Sequence, residues 1–369
     1  MKVLFTIDTL QQGGAEQSIA NIIRNFSNNI DVTILYFYPK ADLLSTYQEL
    51  GCNIIAMNLT GKYQWFKAIK GMKKIIKHEC PDIVVSSLYR SNIISRIACY
   101  ITNTKLVGTF VDDSYNIERR KTFKGFSLIK YQSTWLLDRL TSFIPIHWIS
   151  NSICIAKQNA TKLGIAASKI TTIYRGRDSN IFIQWRNEKE NPFVFICVGR
   201  LYEKKGYPEL ISAFAKLSHT HNNIKLHIYG EGTYRTEMEN QIEALQMNNK
   251  VILFGNVNEA WKKIYESNCF VFPSRFEGFS GALVEAMMTG IPIISSNIPM
   301  NLEAVENNKT ALVHQVKNSD DLYVKMNEMI AHFSSMIEMG KRAREISIQK
   351  FDIKKIANQY ESLLYSLVK

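Results

Sequence analysis

The chain has 369 residues, 46% of them hydrophobic, so it can bury two sizeable cores and exceeds the size at which one core usually divides. No run of about 18 apolar residues could span a membrane, and the start, MKVLFTIDTL, is typical of a first strand and not of a signal peptide. Six scattered cysteines without a CxxC pair disfavour a disulfide framework or a zinc site. We therefore expect a cytoplasmic protein of two domains.

The net charge of +12 belongs almost entirely to the first half. Residues 1–190 hold 25 Lys and Arg against 14 Asp and Glu, a net +11, whereas residues 191–369 hold 20 against 19, a net +1. A basic half joined to a neutral half indicates that one half meets an anionic surface or substrate.

Apolar runs of strand length alternate with helical patterns along both halves. In the first half, strands are predicted at 2–8, 31–38, 53–58, 82–88, 105–111, 143–150 and 170–174. In the second half, they are predicted at 193–198, 225–229, 251–254, 269–272 and 292–295. This alternation predicts an α/β protein with two doubly wound parallel sheets. The predicted parts are a first domain at 1–175, a linker at 176–191, a second domain at 192–350 and an amphipathic last helix at 351–369.

The first predicted strand leads into Gly13, Gly14 and Glu16 at the start of a helix. Two glycines at this place let backbone amides close on a phosphate or a sugar, although a plain tight turn explains them equally well. The loop lacks the spacing of a dinucleotide fingerprint and the Lys of a P-loop, so neither NAD binding nor ATP hydrolysis is favoured.

Two basic clusters lie in the first half. The first is a helical pattern that carries Lys62, Lys67, Lys70, Lys73, Lys74 and Lys77. The second mixes cations with apolar side chains and contains Arg119, Arg120, Lys121, Lys124, Lys130, Phe123, Phe126, Leu128 and Tyr131. Such segments either dock on anionic bilayers or pack their apolar side on their own sheet. We favour packing for the first and surface contact for the second; nucleic acid is a weaker alternative, because no recognition motif is present.

Strand ends in the second half carry the clearest chemistry. Arg200 and Lys205 follow the strand at 193–198, where two cations suit a diphosphate, although they could equally be solvated. Glu277 and Glu285 lie eight positions apart around a glycine-rich turn that enters a helix ending at Gly290. Each carboxylate could hold a pair of sugar hydroxyls, while amides at the helix start favour a phosphate. On spacing alone, two solvated acids remain an open alternative.

The stretch PSRFEGFSGALVE, with AMMTGIPIISSNIP after it, closely resembles the donor-binding signature of family 4 glycosyltransferases, which have the GT-B fold. The resemblance extends to the loop with Gly13, Gly14 and Glu16, and to Arg200 and Lys205. It implies two Rossmann-like domains that face a central cleft, and a last helix that crosses back to the first domain. It also implies retention of configuration and a nucleotide-sugar donor.

From this resemblance we assign roles to the donor site. The catalytic candidates are Glu277, Arg200 and Lys205, and the donor-binding residues are Gly13, Gly14, Arg200, Lys205, Glu277, Gly278, Phe279, Ser280, Gly281 and Glu285. Arg200 and Lys205 would stabilise the departing diphosphate, Glu285 would hold the ribose, and Glu277 with the amides of 278–281 would position the sugar.

The chain departs from the family pattern at two places. The histidine that often follows the fifth strand is absent, and Asp112 or Asp113 could replace it; these two and Glu16 are the acceptor-side candidates. Arg175 stands where Asn is commoner, and it could meet a phosphate. Neither a metal site nor another cofactor is expected, because adjacent aspartates chelate poorly.

The sequence thus predicts a retaining glycosyltransferase that uses a nucleotide sugar, with UDP favoured, and needs no metal. Its acceptor would be a glycan, most simply a lipid-linked one in bacterial surface polysaccharide or lipopolysaccharide assembly. The basic first half would contact the anionic inner face of the cytoplasmic membrane. The alternatives are a GT-B phosphorylase or epimerase, and a nucleotide-sugar-binding module without turnover.

Overall fold

Each half of the chain is built on a parallel sheet. The structure, a computed structural model, describes residues 1–61, 64–185 and 191–369, without the side chains of Ile117 and Glu118. One unit comprises Met1–Gly176 with Ile353–Lys369, and the other comprises Arg177–Asp352. Lys62 of the first basic cluster and residues 186–190 of the predicted linker lie outside the described residues.

The first unit holds a seven-stranded sheet in the order β3-β2-β1-β4-β5-β6-β7. Its strands are β1 Lys2–Ile7, β2 Asp31–Tyr36, β3 Asn53–Ala56, β4 Ile83–Ser87, β5 Leu106–Phe110, β6 His147–Ser150 and β7 Ile170–Thr172. Its helices are α1 Gly14–Ile23, α2 Leu44–Glu49, α3 Trp65–Glu79, α4 Tyr89–Thr102, α5 Ile117–Lys121, α6 Phe126–Thr141, α7 Ile153–Leu163 and α14 Ile353–Val368.

The second unit holds a six-stranded sheet in the order β10-β9-β8-β11-β12-β13. Its strands are β8 Phe193–Val198, β9 Ile224–Tyr229, β10 Val251–Gly255, β11 Cys269–Phe272, β12 Ile293–Ser296 and β13 Leu312–His314. Its helices are α8 Tyr207–Ser218, α9 Arg235–Ala244, α10 Gly281–Thr289, α11 Pro299–Leu302, α12 Ser319–Ala331 and α13 Phe333–Phe351.

Both sheets are parallel and doubly wound, which confirms the predicted α/β class. The central strands of the second sheet, β8 and β11, are buried on both faces, and they are therefore continuous apolar runs without polar alternation. In each sheet the strand order reverses once, between β1 and β4 in the first and between β8 and β11 in the second. Loops diverge at such a point and leave a crevice beyond the carboxyl ends of the strands, where ligands of open α/β sheets bind.

The predicted linker needs a correction. Residues 177–185 are part of the second unit, because Phe182 and Trp185 are buried in it. The Trp185 indole donates a hydrogen bond to the carbonyl of Ser267 at 2.9 Å. Two large aromatic side chains thus hold this polar stretch against the unit.

Several element boundaries also differ from the prediction. The strand predicted at 143–150 is shortened to His147–Ser150. Helix α6 begins within the second basic cluster and continues to Thr141, through residues that we had assigned to no element. Phe351 ends α13, so the last helix begins at Ile353. In the described part of the chain, no helix combines the length and the hydropathy needed to cross a bilayer.

Candidate active site

The loops that follow β8 and β11 meet at the switch point of the second sheet. The two strands are hydrogen-bonded neighbours, and the Arg275 amide donates to the Lys204 carbonyl at 2.8 Å. Gly206 has φ +74°, and a β-carbon there would lie 2.1 Å from the carbonyl oxygen of Pro273. This close approach brings residues 199–206 against 273–280.

Lys205 and Glu277 form an ion pair across these loops. The Lys205 Nζ lies 2.5 Å from Glu277 Oε1, and the side chains are 14% and 11% exposed. Burial raises the pKa of Glu277, but the charge of the Lys205 ammonium and its hydrogen bond outweigh burial and hold that pKa below its usual value. Glu277 is therefore ionised at neutral pH, and the pair offers a ligand one positive and one negative group.

Neighbouring contacts hold the Lys205 loop in place. The Tyr207 hydroxyl donates to the Gly199 carbonyl at 2.8 Å. Arg275 pairs with Glu203 and Glu209, each at 2.8 Å. The sequence analysis did not identify Arg275, since a lone Arg after a strand carries no distinctive spacing.

Glu285 lies on α10 and pairs with Arg177. Arg177 Nε lies 2.6 Å from Glu285 Oε1, and the side chains are 12% and 20% exposed. The guanidinium covers the first turn of α10, because a β-carbon on Gly281 would meet Arg177 Nη2 at 1.8 Å. Sequence reasoning considered Arg175 here and missed Arg177; the only local signal was a second cation two positions later.

The turn before α10 supplies backbone groups. Ser280 is the N-cap, and its hydroxyl accepts from the Leu283 amide at 3.4 Å. The Phe279 side chain is buried and packs on Phe351, with ring centroids 5.2 Å apart. Therefore only the backbone of Phe279 can face a ligand. Gly278 and Gly281 have no side chains that would shield the backbone amides at the start of α10.

Arg200 lies two residues after the end of β8 and is exposed, with its guanidinium 5.2 Å from the centroid of the Tyr202 ring. The structure thus joins Lys205 to Glu277 and Arg177 to Glu285, and places Arg200 at the same strand end. In the described residues no group of three or more His, Cys, Asp or Glu could hold a metal ion.

The Glu16 side chain lies against the loop with Gly13 and Gly14 in the first unit. A β-carbon on Gly13 would lie 2.3 Å from Glu16 Oε2, and one on Gly14 would lie 3.0 Å from Arg175 Nη1. Glu16 is 3% exposed, and its backbone carbonyl accepts from the Tyr47 hydroxyl at 2.7 Å. Two charged side chains therefore converge on this loop at the carboxyl end of β1.

A cavity of about 240 Å³ lies at the switch point of the first sheet. Asp8 and Asp112 both line it. Asp112 pairs with Arg119 at 3.2 Å, whereas Asp113 is buried and accepts from the Asn116 amide at 2.7 Å. Of the two aspartates that we predicted, Asp112 is the one at the cavity.

Asp8 is a cavity residue at the end of the strand predicted at 2–8, and the sequence analysis assigned it no role. Its Oδ1 accepts from the Ser91 amide at 2.7 Å. Burial raises the pKa of Asp8 to about 6, against the lowering effect of that hydrogen bond. A carboxyl group with this pKa changes its charge close to neutral pH.

Two protein-family models together match residues 12–346 of the chain. The model described as Glycosyltransferase Family 4 matches residues 12–180, and the model described as Glycosyl transferases group 1 matches residues 178–346. The capsular polysaccharide biosynthesis glycosyltransferase CapM of Staphylococcus aureus is 26% identical over 361 residues, which cover 92% of this chain and 91% of CapM.

Two further proteins extend the comparison. The N-acetylgalactosamine-N,N'-diacetylbacillosaminyl-diphospho-undecaprenol 4-alpha-N-acetylgalactosaminyltransferase of Campylobacter jejuni is 28% identical over 375 residues, which cover 98% of each chain. The crystal structure of Anabaena HepE in complex with UDP and glucose matches with a TM-score of 0.85 at 20% identity, covering 99% of this chain and 100% of HepE. Because the two family models together span residues 12–346, the chain belongs to the family 4 glycosyltransferases and has the GT-B fold.

Proposed function

We propose that this glycosyltransferase moves a sugar from a UDP-sugar to a lipid-linked glycan, with retention of configuration. The observation that carries the proposal is the two partly buried ion pairs at the switch point of the second sheet, Lys205 with Glu277 and Arg177 with Glu285. Two cations and two carboxylates lie together at this switch point, and this supports a site for a diphosphate and two sets of sugar hydroxyls.

Lys205 would bind the diphosphate of the donor. Lys205 forms an ion pair with Glu277 in the structure. Phosphate oxygens could bind the same ammonium group while the ion pair persists, so neither charge would be left buried without a partner. Arg200 lies at the same strand end and is exposed, so its fork can reach a second phosphate oxygen. UDP is favoured because HepE was solved with UDP and glucose.

The carboxylates would orient the donor sugars. Glu285 accepts from ribose hydroxyls while Arg177 holds its other contact, and Glu277 accepts from hydroxyls of the transferred sugar. The backbone amides of Gly278 to Gly281 lie at the N-terminus of α10, where they would stabilise an anion. This division of labour keeps each charged group next to an opposite partner.

Transfer would proceed on one face of the sugar. The bond from the anomeric carbon to the diphosphate oxygen breaks while the acceptor oxygen bonds to the same face, and the leaving phosphate oxygen takes the acceptor proton. Lys205, Arg200 and the amides stabilise the charge that develops on the diphosphate, so the proposal includes no metal. Glu277 acts by position and not as a nucleophile.

The acceptor would bind the first unit. Asp112 and Asp8 line its cavity, and Glu16 and Asp113 lie beside strand ends of the same sheet. A lipid-linked acceptor is supported by the Campylobacter jejuni relative, whose name includes a diphospho-undecaprenol substrate. CapM, named for capsular polysaccharide biosynthesis, supports a role in surface polysaccharide assembly. The basic first half would then contact the anionic inner membrane surface.

The first test is thermal stabilisation of the purified chain by UDP, GDP, ADP and their sugars. A ligand at 100 times its Kd adds about 2.7 kcal/mol of apparent stability. We expect UDP and its sugars to stabilise the protein, and Glu285→Gln to weaken that effect while Glu243→Gln, an exposed acid on α9, leaves it unchanged. Stabilisation by no nucleotide would overturn the donor site.

A second test separates a transferase from the alternatives. With a stabilising donor and a lipid-linked acceptor, we expect a new glycosidic bond whose anomeric configuration, measured by NMR, equals that of the donor. Glu277→Ala should abolish transfer and leave nucleotide affinity unchanged. Nucleotide binding without any product would indicate a binding module, and a sugar phosphate or an epimer as the product would indicate the phosphorylase or epimerase alternative.

A further inference from the structure

Helix α6 packs on the first unit through polar contacts. Asp138 is its one buried residue, and Asp138 Oδ1 lies 2.5 Å from Arg96 Nη1. Asp138 Oδ2 accepts from the Tyr115 hydroxyl at 2.5 Å, and the Tyr89 hydroxyl donates to the Thr134 carbonyl at 3.1 Å. A network of charges and hydroxyls, instead of an apolar stripe, therefore holds this helix in place.

Five apolar side chains of α6 are exposed to solvent. We call this set the α6 stripe; it consists of Phe126 (81% exposed), Ile129 (62%), Leu136 (48%), Leu137 (37%) and Leu140 (62%). Their spacing of three, seven, one and three residues places them on one face of a helix. Phe143, 67% exposed, follows directly after the helix. Contiguous exposed apolar side chains of this kind mark an interaction surface.

Helix α3, the other basic helix of this unit, has the opposite arrangement. Ala68, Met72 and Ile76 are buried, and Lys70 and Lys74 are exposed to solvent. These three residues of α3 thus belong to the core, as we predicted for the first basic cluster, whereas Phe66 at the start of the helix is 92% exposed. Among the residues that the structure describes, α3 presents the single aromatic Phe66 beside its lysines, whereas the second cluster presents several apolar side chains beside its cations.

The charge around the α6 stripe selects its partner. Residues 119–146 contain six Lys and Arg and one acid, Asp138, which is buried against Arg96. Arg120, Lys121, Lys124 and Lys130 are all exposed. In a symmetric contact between two copies, each patch meets itself, so cations would oppose cations. An anionic bilayer instead offers apolar chains and negative headgroups at adjacent depths.

We propose that the α6 stripe inserts into the headgroup boundary of an anionic bilayer while these four cations contact the lipid phosphates. A cavity of about 480 Å³ opens on the same side, lined by Ile129, Trp135 and Leu136 together with Arg120 and Lys162. The apolar wall of this cavity fits the beginning of an acyl chain, and its two cations fit the phosphate of the same lipid, next to the stripe. The inference names the surface for the membrane contact proposed above and rests on that part of the proposed function.

Vesicle sedimentation of the full chain tests this inference without any donor or acceptor, so failure of transfer and failure of docking are distinguishable. We expect binding to phosphatidylcholine vesicles that contain phosphatidylglycerol, weaker binding to phosphatidylcholine alone, and loss of binding as salt rises. The double variant Phe126→Ser, Leu140→Ser should bind at least about tenfold more weakly, because each side chain loses its burial in the bilayer.

The matched control is Phe66→Ser on α3. Phe66 is 92% exposed on a basic helix, yet it lies outside the stripe, so its loss should change binding by less than about twofold. Lys124→Glu with Lys130→Glu provides a second variant that keeps the stripe and should remove the preference for anionic vesicles. The melting temperature of each variant shows whether the fold is retained.

Three outcomes would overturn the inference. The wild-type chain does not bind anionic vesicles, or both double variants bind as the wild type does. Alternatively, light scattering shows a dimer that Phe126→Ser, Leu140→Ser converts to a monomer, in which case the stripe is a contact between copies.

Discussion

At the scale of single residues, the Lys205–Glu277 pair concentrates the chemistry of the second unit. Both side chains are largely buried, so each charge depends on the other for its solvation. A buried charge without its partner costs more than the pair contributes. The two groups therefore stabilise each other in the free protein, and both can bind a ligand that enters between them.

Removal of one member should destabilise the fold more than removal of both. We expect Lys205→Met to lower the free energy of unfolding by about 2–4 kcal/mol at pH 7, because it leaves Glu277 ionised and buried. The double variant Lys205→Met, Glu277→Gln should recover part of that loss. Urea unfolding at pH 7 measures both, with Lys309→Met, from an exposed pair with Glu306, as the control. A double variant that is less stable than Lys205→Met would contradict the coupling.

The same pair predicts a dependence on pH. The pKa of Glu277 is lowered in the folded state, so its contribution to stability is present above the unfolded pKa of about 4.3 and is lost as pH falls through the folded value. Lys205→Met removes the strongest interaction that lowers the pKa of Glu277, so burial should raise that pKa. Protonation then relieves the variant, and the stability gap to the wild type should narrow between pH 7 and pH 4.5.

Asp8 should show the opposite sign. Its folded pKa of about 6 lies above the ordinary value, so the ionised form opposes folding above pH 6 and the penalty disappears near pH 4. We expect Asp8→Asn to be more stable than the wild type at pH 7.5, by up to about 2 kcal/mol, and equally stable at pH 4. Urea unfolding at both pH values, with Glu49→Gln as an exposed control, measures this. A variant less stable at pH 7.5 would show that Asp8 is not penalised by burial.

At the scale of elements, the loop after β8 depends on one glycine. Gly206 combines a left-handed φ of +74° with a β-carbon position 2.1 Å from the Pro273 carbonyl oxygen. Gly51 has a similar φ of +71° and open space around it. The two positions therefore separate backbone strain from steric overlap.

We expect Gly206→Ala to cost about 2–4 kcal/mol and Gly51→Ala about 1 kcal/mol, because only the first adds a collision with backbone to the left-handed conformation. Gly206→Ala should also weaken UDP stabilisation, since the collision displaces the loop that carries Lys205. Equal losses at the two positions in urea unfolding would show that the loop relaxes around the added methyl group.

The elements also show where sequence patterns succeed and fail. Buried strands such as β8 and β11 are uninterrupted apolar runs, and the prediction found them because burial on both faces leaves no other pattern. Helix α6 escaped recognition because its apolar side chains face outward and its buried residue is Asp138. A pattern that assumes an apolar interior cannot identify such a helix.

At the scale of the whole molecule, the last helix completes the first unit. Tyr360 and Leu364 of α14 belong to the same core as Phe5 of β1, and the Phe5 and Tyr360 ring centroids are 6.3 Å apart. The first unit is therefore formed by segments from both ends of the sequence.

Truncation of this contact should loosen the beginning of the chain. We expect Leu364→Ala to destabilise the first unit by about 2–5 kcal/mol, because Leu364 is fully buried and a cavity would remain. Hydrogen exchange of the amides in Lys2–Ile7 should accelerate. Leu302→Ala, at a 47% exposed position of the second unit, should leave those amides protected. Unchanged protection in Leu364→Ala would mean that β1 is stable without the helix.

The sequence by itself determined the α/β class, the two sheets, the family and the local motif with Glu277 and Glu285. These depend on apolar periodicity and short spacing, which act within a few neighbouring residues. The glutamates lie on one loop and the helix that follows it, so their neighbourhood is a local property of the chain.

Only the tertiary structure decided which charges meet. Lys205 and Glu277 are 72 positions apart, and Arg177 and Glu285 are 108 apart. Each contact requires a strand order that brings distant loops to one edge of a sheet, and composition contains no record of that order. The same holds for Asp8, whose pKa depends on burial, and for α6, whose outward stripe depends on Arg96 and Asp138 pairing inside the fold.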